Sequence, residues 1–333
     1  MAAPRFDVLG IGNAIVDVIA RTDDDFLIAQ KMQKGGMALI DEARAKAIYD
    51  AMGPAIEISG GSAANTIAGV ASFGARAAFV GKVKDDALGR IFRHDITKAG
   101  VTFDTRAAAD GPSTACSYIM VTPDGERTMN TFLGAAQNLH PDDIDAAQIA
   151  DAAITYLEGY LWDPKDAKDA FLKAAKIAHG ANRMVALTLS DAFCVDRYRA
   201  EFLKLLRDGV VDLLFANEAE LKSLYETADF DTALSALRKD AKLAAVTRSE
   251  KGCVVVSRDK SEAVPAASVE RVIDTTGAGD LFAAGFLTGL ARGRDHVTAG
   301  RLGALAAAEV IQHLGARPET SLKDLAQENG LAV

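Results

Sequence analysis

Cysteine and histidine are scarce in this chain, and their spacing excludes two classes of site. The three cysteines, Cys116, Cys194 and Cys253, lie far apart and form no CxxC pair. An odd, scattered set favours neither a disulfide framework nor a cysteine-bound zinc, and it is typical of the reducing cytosol. The five histidines are also scattered, and no HExxH motif is present. We therefore expect a cytoplasmic protein without a histidine or cysteine metal centre.

The chain also lacks basic runs and long apolar runs. Its net charge is −9, and no cluster of lysine and arginine is present, so a nucleic-acid partner is not expected. The apolar stretch at 281–291 is too short to span a bilayer, and the first ten residues do not have the pattern of a signal peptide. With 49% hydrophobic residues, the composition predicts a soluble globular protein with a sizeable core and no membrane partner.

Apolar, β-rich runs alternate with helical patterns along most of the sequence. Several of the runs are apolar throughout, as in strands that are covered on both faces of a sheet. This alternation predicts an α/β fold with a mainly parallel, doubly wound sheet flanked by helices. The predicted strands are 5–12, 77–81, 154–159, 184–189, 211–217, 243–247 and 253–257, and the predicted helices are 62–74, 85–100, 163–180 and 195–209.

Two stretches do not show this alternation of strands and helices, and they predict a second, smaller sheet. Residues 14–59 and 101–133 contain short alternating segments, and the Pro-Asp-Gly sequence within 122–127 is a strong hairpin signal. We expect these residues to form a small antiparallel β-sheet that lies over the main domain as a lid. The large domain would then comprise residues 1–13, 60–100 and 134–333.

The most informative segment runs from Val272 to Asp280 and reads VIDTTGAGD. An apolar, periodic helix begins at its Gly-Ala-Gly stretch, where small residues allow backbone N–H groups to approach an anion at the positive end of the helix dipole. Asp280 stands beside this anion site in the first helical turn. By itself this pattern leaves two interpretations open: a carboxylate that accepts a hydroxyl proton during phosphoryl transfer, or an aspartate that only satisfies the dipole.

The run DTTGAGD closely resembles the C-terminal signature of the ribokinase-like (PfkB) family of carbohydrate and nucleoside kinases. The order of motifs from Gly12-Asn13 to the C-terminal helices is similar as well. The resemblance implies the ribokinase-like form of the doubly wound fold with its β-sheet lid, and an ATP-dependent kinase. It makes Gly277, Ala278 and Gly279 the anion hole and Asp280 the catalytic base.

A second cluster, SGGSAAN at 59–65, precedes a predicted helix. Two glycines let the backbone approach a ligand, and an asparagine can both donate to and accept from hydroxyls. An ordinary turn capped by Ser62 is the alternative. The resemblance implies that the positions that bind the acceptor's hydroxyls are Asn13, Asp17, Gly60, Gly61 and Asn65.

Asn217 and Glu220 directly follow a predicted strand and lie three residues apart. Hard oxygen atoms in this position suit Mg²⁺ held through waters, and an N-capped helix is equally compatible with the pattern. The pair resembles the N-x-x-E motif of the family, which implies a role in a magnesium–water network.

Three further assignments follow from the resemblance alone. Thr247 and Gly252 match the loop that binds ATP, with Gly279 contributing from the anion hole. Arg127 matches a lid arginine that reaches the transferred phosphate, although its place in a hairpin also suits a solvated charge. Asp274 would help to shape a nucleotide loop or a site for a monovalent cation such as K⁺.

The acceptor is the least determined feature. The cluster at 59–65 lacks the lysine that is usual in ribokinases and looks like that of adenosine kinases, and Leu39 and Phe193 fall where those enzymes line an apolar slot for the purine. We therefore expect transfer to the 5′-hydroxyl of adenosine, giving AMP. The alternatives are a sugar kinase acting on ribose, fructose or 2-keto-3-deoxygluconate, and a non-catalytic ligand-binding protein. The protein would be a monomer or a homodimer.

Overall fold

The computed structural model describes residues 3–333 and contains two β-sheets with their flanking helices. The strands are β1 (Phe6–Ile11), β2 (Ile15–Arg21), β3 (Met37–Leu39), β4 (Ala55–Gly60), β5 (Ala77–Val80), β6 (Val101–Thr102), β7 (Ala115–Val121), β8 (Arg127–Phe132), β9 (Ala152–Glu158), β10 (Met184–Thr188), β11 (Leu213–Asn217), β12 (Leu243–Thr247), β13 (Cys253–Ser257) and β14 (Ser261–Val264). The α-helices are α1 (Asp24–Ala29), α2 (Glu42–Ala51), α3 (Ser62–Ser72), α4 (Ala87–Lys98), α5 (Ala146–Ala150), α6 (Lys165–Gly180), α7 (Ala192–Arg207), α8 (Glu218–Leu224), α9 (Phe230–Asp240), α10 (Ala278–Ala291), α11 (His296–Val310) and α12 (Leu322–Glu328).

The larger sheet has the order β14-β13-β12-β11-β10-β9-β1-β5-β6. Strands from β12 to β6 in this order run parallel, and only β13 and β14 are antiparallel to their neighbours. Every residue of β1 and β5 is buried, as expected for strands with helices on both faces. The predicted α/β class, with a mainly parallel sheet flanked by helices, is confirmed.

Helix α10 is buried along most of its length, because its sequence is apolar on nearly all sides. It packs against α11 on one side and α3 on the other. Both α3 and α10 begin after glycine-containing turns, at Gly61 and Gly277. This packing places the two helix N-termini, with the motifs that precede them, beside each other.

The smaller sheet has the order β3-β8-β7-β2-β4. Alternate residues of β2 are buried, so one face of the sheet is covered, and α2 packs against β7 and β8. The prediction of an antiparallel sheet is wrong in part: β2–β4 and β7–β8 are antiparallel, whereas β2–β7 and β3–β8 are parallel. Residue alternation indicates which face of a strand is buried, but it does not indicate the direction of the neighbouring strand.

Across residues 3–333, none of the helices combines the length and the apolar character that crossing a membrane requires.

Candidate active site

The turn before α10 presents backbone amides at the end of the larger sheet. Gly277 has a left-handed conformation with φ 79°, and a Cβ atom there would lie 2.8 Å from Cα of Ala316, so both the conformation and the close contact require glycine. The Ala278 amide donates to the Thr275 carbonyl over 3.2 Å, whereas the amides of Gly277 and Gly279 have no partner within residues 3–333. Two of the three predicted anion-hole amides are therefore available to an anion at the positive end of α10.

Asp280 is the third residue of α10 and accepts two hydrogen bonds from α3. The hydroxyl of Ser62 donates to Oδ1 over 2.6 Å, and Nδ2 of Asn65 lies 3.4 Å from Oδ2. Burial raises the pKa of Asp280 to about 6, an effect that the hydrogen bonds from Ser62 and Asn65 and the charge of Arg317 partly offset. The carboxylate is therefore mostly ionised at neutral pH and can accept a proton.

A cavity of about 310 Å³ opens in front of this turn, at the carboxyl ends of β10, β11 and β12. Ligands of open α/β sheets bind in this position. Among the predicted site residues, those that line the cavity are Asn217, Glu220, Thr247, Gly277, Ala278, Gly279 and Asp280.

Asn217 and Glu220 form a reciprocal N-cap of α8. Oδ1 of Asn217 accepts from the Glu220 amide over 2.8 Å, and Oε2 of Glu220 accepts from the Asn217 amide over 3.0 Å. Burial raises the pKa of Glu220 to about 7. The N-cap interpretation is thus confirmed. No group of three or more His, Cys, Asp or Glu residues that could hold a metal ion occurs within 3–333, so any metal here would depend on other ligands.

The glycine pair before α3 lies against two of the predicted acceptor-binding residues. A Cβ atom on Gly60 would lie 2.3 Å from Oδ2 of Asp17, and one on Gly61 would lie 2.3 Å from the carbonyl oxygen of Asn13. Gly61 also has a φ of 96°. Larger side chains would therefore displace both the carboxylate and the β1–β2 connection.

Asp17 is a half-buried carboxylate near a second carboxylate and two cations. Burial raises its pKa to about 6, the charges of Arg127 and Arg317 oppose that shift, and the charge of Asp280 adds to it. The structure therefore brings the predicted acceptor-binding carboxylate and the predicted base into one electrostatic environment.

Asn13 is held by Glu158, a buried carboxylate at the end of β9. Nδ2 of Asn13 donates to Oε1 of Glu158 over 2.5 Å, and the Ala63 amide donates to Oε2 over 2.8 Å. Burial raises the pKa of Glu158 to about 7 despite these bonds. Oδ1 of Asn13 is buried and has no hydrogen-bond partner within the described residues, so it is an unsatisfied acceptor at this point of the site.

Arg127 connects the smaller sheet to the loop that precedes α10. Its guanidinium forms a buried ion pair with Asp274, whose carboxylate also accepts from the amides of Thr276 and Gly315. Burial alone would raise the pKa of Asp274, but these hydrogen bonds and the charge of Arg127 hold it below its ordinary value. The contact between Arg127 and a transferred phosphate stays a prediction, since in this structure the guanidinium binds Asp274.

Leu39 shares a face of the smaller sheet with Asp17. The register pairs Leu39 with Thr131, Thr131 with Ser117, and Ser117 with Asp17. Residues paired in this way project from the same side of a sheet. The side chain of Leu39 is 57% exposed, so this face presents an uncovered apolar group three strands away from the predicted acceptor-binding carboxylate.

The remaining two predicted site residues do not line the cavity. Phe193, in the first turn of α7, is 76% exposed. Gly252 lies in the turn between β12 and β13, where its φ is 80° and a Cβ atom would meet the carbonyl oxygen of Val264 at 2.1 Å. Gly252 thus shapes the turn behind Thr247, which does line the cavity.

Three residues at the site were not predicted: Ser62 as a partner of the base, Glu158 and Arg317. The suggestion that Ser62 caps α3 is wrong, because Gly61 is the N-cap and the Ser62 hydroxyl is bound to Asp280. A glutamate that ends the apolar run 154–158 was the one available signal for Glu158, because a strand end is where ligands bind.

Comparisons with known proteins agree on one family. The family described as pfkB family carbohydrate kinase matches residues 57–322. Fructokinase-1 of Zea mays is 30% identical over 243 residues, which cover 70% of this chain and 73% of that protein. The ATP-dependent ribose-1-phosphate kinase of Halopiger xanaduensis is 32% identical over 236 residues, covering 68% and 72% respectively.

Two solved structures are similar over almost the whole chain. The adenosine kinase from Sinorhizobium meliloti is 56% identical, with a TM-score of 0.91, and the match covers 98% of this chain and 99% of that one. A probable sugar kinase protein from Rhizobium etli CFN 42 is 54% identical, with a TM-score of 0.92 and coverage of 99% and 100%.

Proposed function

The chain belongs to the pfkB family of carbohydrate kinases, and on that basis we propose that it transfers the γ-phosphoryl group of ATP to the 5′-hydroxyl of adenosine. Membership makes it a phosphotransferase with a hydroxyl acceptor. The observation that carries the choice of adenosine is the 56% identity, over 98% of the chain, to the adenosine kinase from Sinorhizobium meliloti.

In this proposal the acceptor lies between the smaller sheet and the N-terminus of α3. Asp17 accepts hydrogen bonds from two ribose hydroxyls, and the unsatisfied Oδ1 of Asn13 and the amide of Asn65 are further polar partners. The purine lies against the apolar side chains of Leu39 and Phe193, both of which are exposed and so free to contact it.

The phosphoryl donor lies in the cavity at the strand ends, where Thr247 is one of its contacts. Asp280 accepts the proton of the attacking hydroxyl, and the free amides of Gly277 and Gly279 stabilise the negative charge of the transferring group. Charge stabilisation and positioning provide most of the catalysis in reactions of this kind.

The residues at the cavity fit a magnesium ion that is held mainly by the nucleotide. Mg²⁺ is commonly bound through one or two carboxylates, several waters and substrate phosphates. Asn217 and Glu220 line the cavity with oxygen atoms that can accept hydrogen bonds from waters of the ion. When bound, the ion would neutralise charge on the phosphate oxygens.

The fit to a monovalent cation is poor. Asp274, the carboxylate that was expected to shape such a site, is already neutralised by Arg127. It also accepts hydrogen bonds from Thr276 and the Gly315 amide. We therefore assign no role to K⁺.

A sugar kinase is the second candidate, and a specific observation favours it. The structure from Rhizobium etli CFN 42, described as that of a probable sugar kinase protein, is 54% identical to this chain, close to the value for the adenosine kinase. The two candidates share the base and the anion hole and differ only in what lies against Leu39 and Phe193.

The test is ADP release from Mg-ATP with adenosine, inosine, ribose, fructose or 2-keto-3-deoxygluconate as acceptor. Turnover with adenosine and little with the free sugars is the expected result. Turnover with a free sugar alone would reject adenosine while leaving the kinase assignment intact.

Asp280→Asn is the matched control in the same assay. We expect kcat to fall by about 10²–10⁴-fold with the Kd for the acceptor nearly unchanged, because the amide keeps the shape of the carboxyl group but cannot accept the proton. A variant with near-normal kcat would refute the role of Asp280 for every acceptor.

A further inference from the structure

Arg317 joins the two turns that form the acceptor side of the site. It lies in the loop between α11 and α12, is half-buried, and donates from Nε to Oδ1 of Asn65 over 2.7 Å. Its Nη2 donates to the carbonyl oxygen of Ser59 over 2.9 Å and to the Ser59 hydroxyl over 3.1 Å. One guanidinium thus holds both ends of the segment 59–65, which includes the glycine pair.

The bond to Asn65 decides which way its side-chain amide faces. A guanidinium has donors only, so the atom of Asn65 that faces Arg317 must be the oxygen. The amide nitrogen then faces the opposite way, and Nδ2 lies 3.4 Å from Oδ2 of Asp280. A continuous path therefore runs from Arg317 through Asn65 to the base.

We propose that Arg317 is a positioning residue for phosphoryl transfer, which orients the amide of Asn65 toward Asp280 and places a guanidinium charge one side chain away from this base. The inference rests on the proposed role of Asp280 as the base. The proposal gives residues 315–317 a role in catalysis, in addition to the close approach of Ala316 to Gly277.

The charges around Asp280 explain why a cation is needed there. Burial raises the pKa values of Asp17 and Glu158, and the charge of Asp280 adds to both shifts. Burial also raises the pKa values of the Tyr156 and Tyr160 phenols, and the charge of Asp280 contributes to both shifts. Burial raises the pKa of Asp280, and the hydrogen bonds from Ser62 and Asn65 and then the charge of Arg317 lower it. Arg317 also interacts through its charge with Asp95 on α4 and with Asp17.

The test is the pH dependence of kcat and kcat/KM for the Arg317→Gln and Arg317→Lys variants, measured with whichever acceptor the native enzyme turns over. Glutamine removes the charge, so the acid limb of the pH profile should move to higher pH and activity should fall most at low pH. Lysine keeps the charge, so the acid limb should stay near its native position. The single ammonium group of lysine cannot make all the hydrogen bonds that the guanidinium makes to Asn65 and Ser59, so kcat should still fall at high pH.

Arg301→Gln is the control for loss of an arginine charge, because Arg301 is exposed on α11. Its pH profile should match that of the native enzyme.

Superimposable acid limbs for Arg317→Gln and the native protein would overturn the proposal, as would an Arg317→Gln variant that changes only KM for ATP. If Arg317→Gln does not fold, Arg317→Lys decides: native kcat at pH 8 would overturn the proposal, and a reduced kcat with native KM for ATP would support it. A native protein inactive with all acceptors would instead contradict the proposed function.

Discussion

The hydroxyl oxygen of Ser62 lies 2.6 Å from Oδ1 of Asp280, so the first residue of α3 donates a hydrogen bond to the first turn of α10. The two residues are 218 positions apart in the sequence. Their contact joins the motif expected to bind the acceptor to the motif expected to supply the base. Among the interactions that lower the pKa of Asp280, this hydrogen bond is the largest.

Ser62→Ala should shift the acid limb of the pH–rate profile upward. The pKa of Asp280 is about 6 with the hydrogen bond in place, and the bond favours the ionised form. Its loss raises that pKa, so kcat/KM should fall at pH 6 and recover toward pH 8 or higher. The matched control is Ser223→Ala, which removes an exposed serine–aspartate bond of the same 2.6 Å length. An unchanged acid limb in Ser62→Ala would show that the bond does not influence the base.

Asp280→Asn should make the protein more stable at high pH. Burial raises the folded-state pKa of Asp280 from 3.8 to about 6, so the folded state binds the proton more tightly than the unfolded chain. The native protein therefore loses stability as pH rises between these values, and the uncharged amide avoids that loss. The difference in the free energy of unfolding should be small at pH 4 and roughly 3 kcal/mol above pH 7, since each unit of pKa difference corresponds to about 1.4 kcal/mol. Urea unfolding at the two pH values measures it, and a gain of equal size at pH 4 would contradict the argument.

Gly277→Ala should reduce both stability and turnover. The left-handed backbone alone costs a non-glycine residue about 1–2 kcal/mol, and the added methyl group would also displace Ala316. Misplacing the amides of the anion hole should lower kcat by at least about tenfold, since removing one such donor can cost 10²–10³-fold.

Gly293→Ala is the control for this prediction, because Gly293 has a similar φ of 71° but a methyl group added there would meet no atom within 4 Å. It should show the backbone effect on the free energy of unfolding without the loss of kcat. Equal losses of kcat in both variants would mean that the anion hole is not at Gly277.

The ion pair between Arg127 and Asp274 should couple strongly in a double-mutant cycle. The two side chains are 12% and 6% exposed, so removing one partner leaves a buried charge without compensation. Arg127→Met and Asp274→Asn should each lower the free energy of unfolding by about 3–5 kcal/mol, and the double variant should lose much less than the sum. Lys46→Met, which breaks an exposed pair with Asp50, is the surface control and should change stability little. Additive losses would rule out a direct pair.

The sequence was sufficient to predict the features that depend on local pattern. Apolar runs that are buried on both faces identified the parallel strands, and DTTGAGD located the start of α10 and the candidate base. In each case the information lies within about ten consecutive residues, where periodicity and helix-start signals act.

Other features depend on contacts between distant residues and could not be read in this way. Arg317 lies 252 positions from Asn65, and nothing in the sequence GARPET distinguishes it from a surface arginine. The mixed pairing of the smaller sheet has the same cause, because each residue of β2 pairs with a residue of its parallel partner β7 that lies 100 positions later. Sequence pattern indicates which face of such a strand is buried, whereas its neighbouring strands are determined by tertiary packing alone.

The interleaved order of the smaller sheet determines how the protein could be engineered. Strands β2, β3 and β4 come from one segment and β7 and β8 from another, while α3 and β5, which lie between them in the chain, belong with the larger sheet. A chimaera that borrows the acceptor-facing surface of another kinase must therefore exchange both segments together. Replacing either one alone would leave β2–β7 and β3–β8 pairing across a boundary between two parents, with Asp17 and Leu39 on strands whose neighbours come from different proteins.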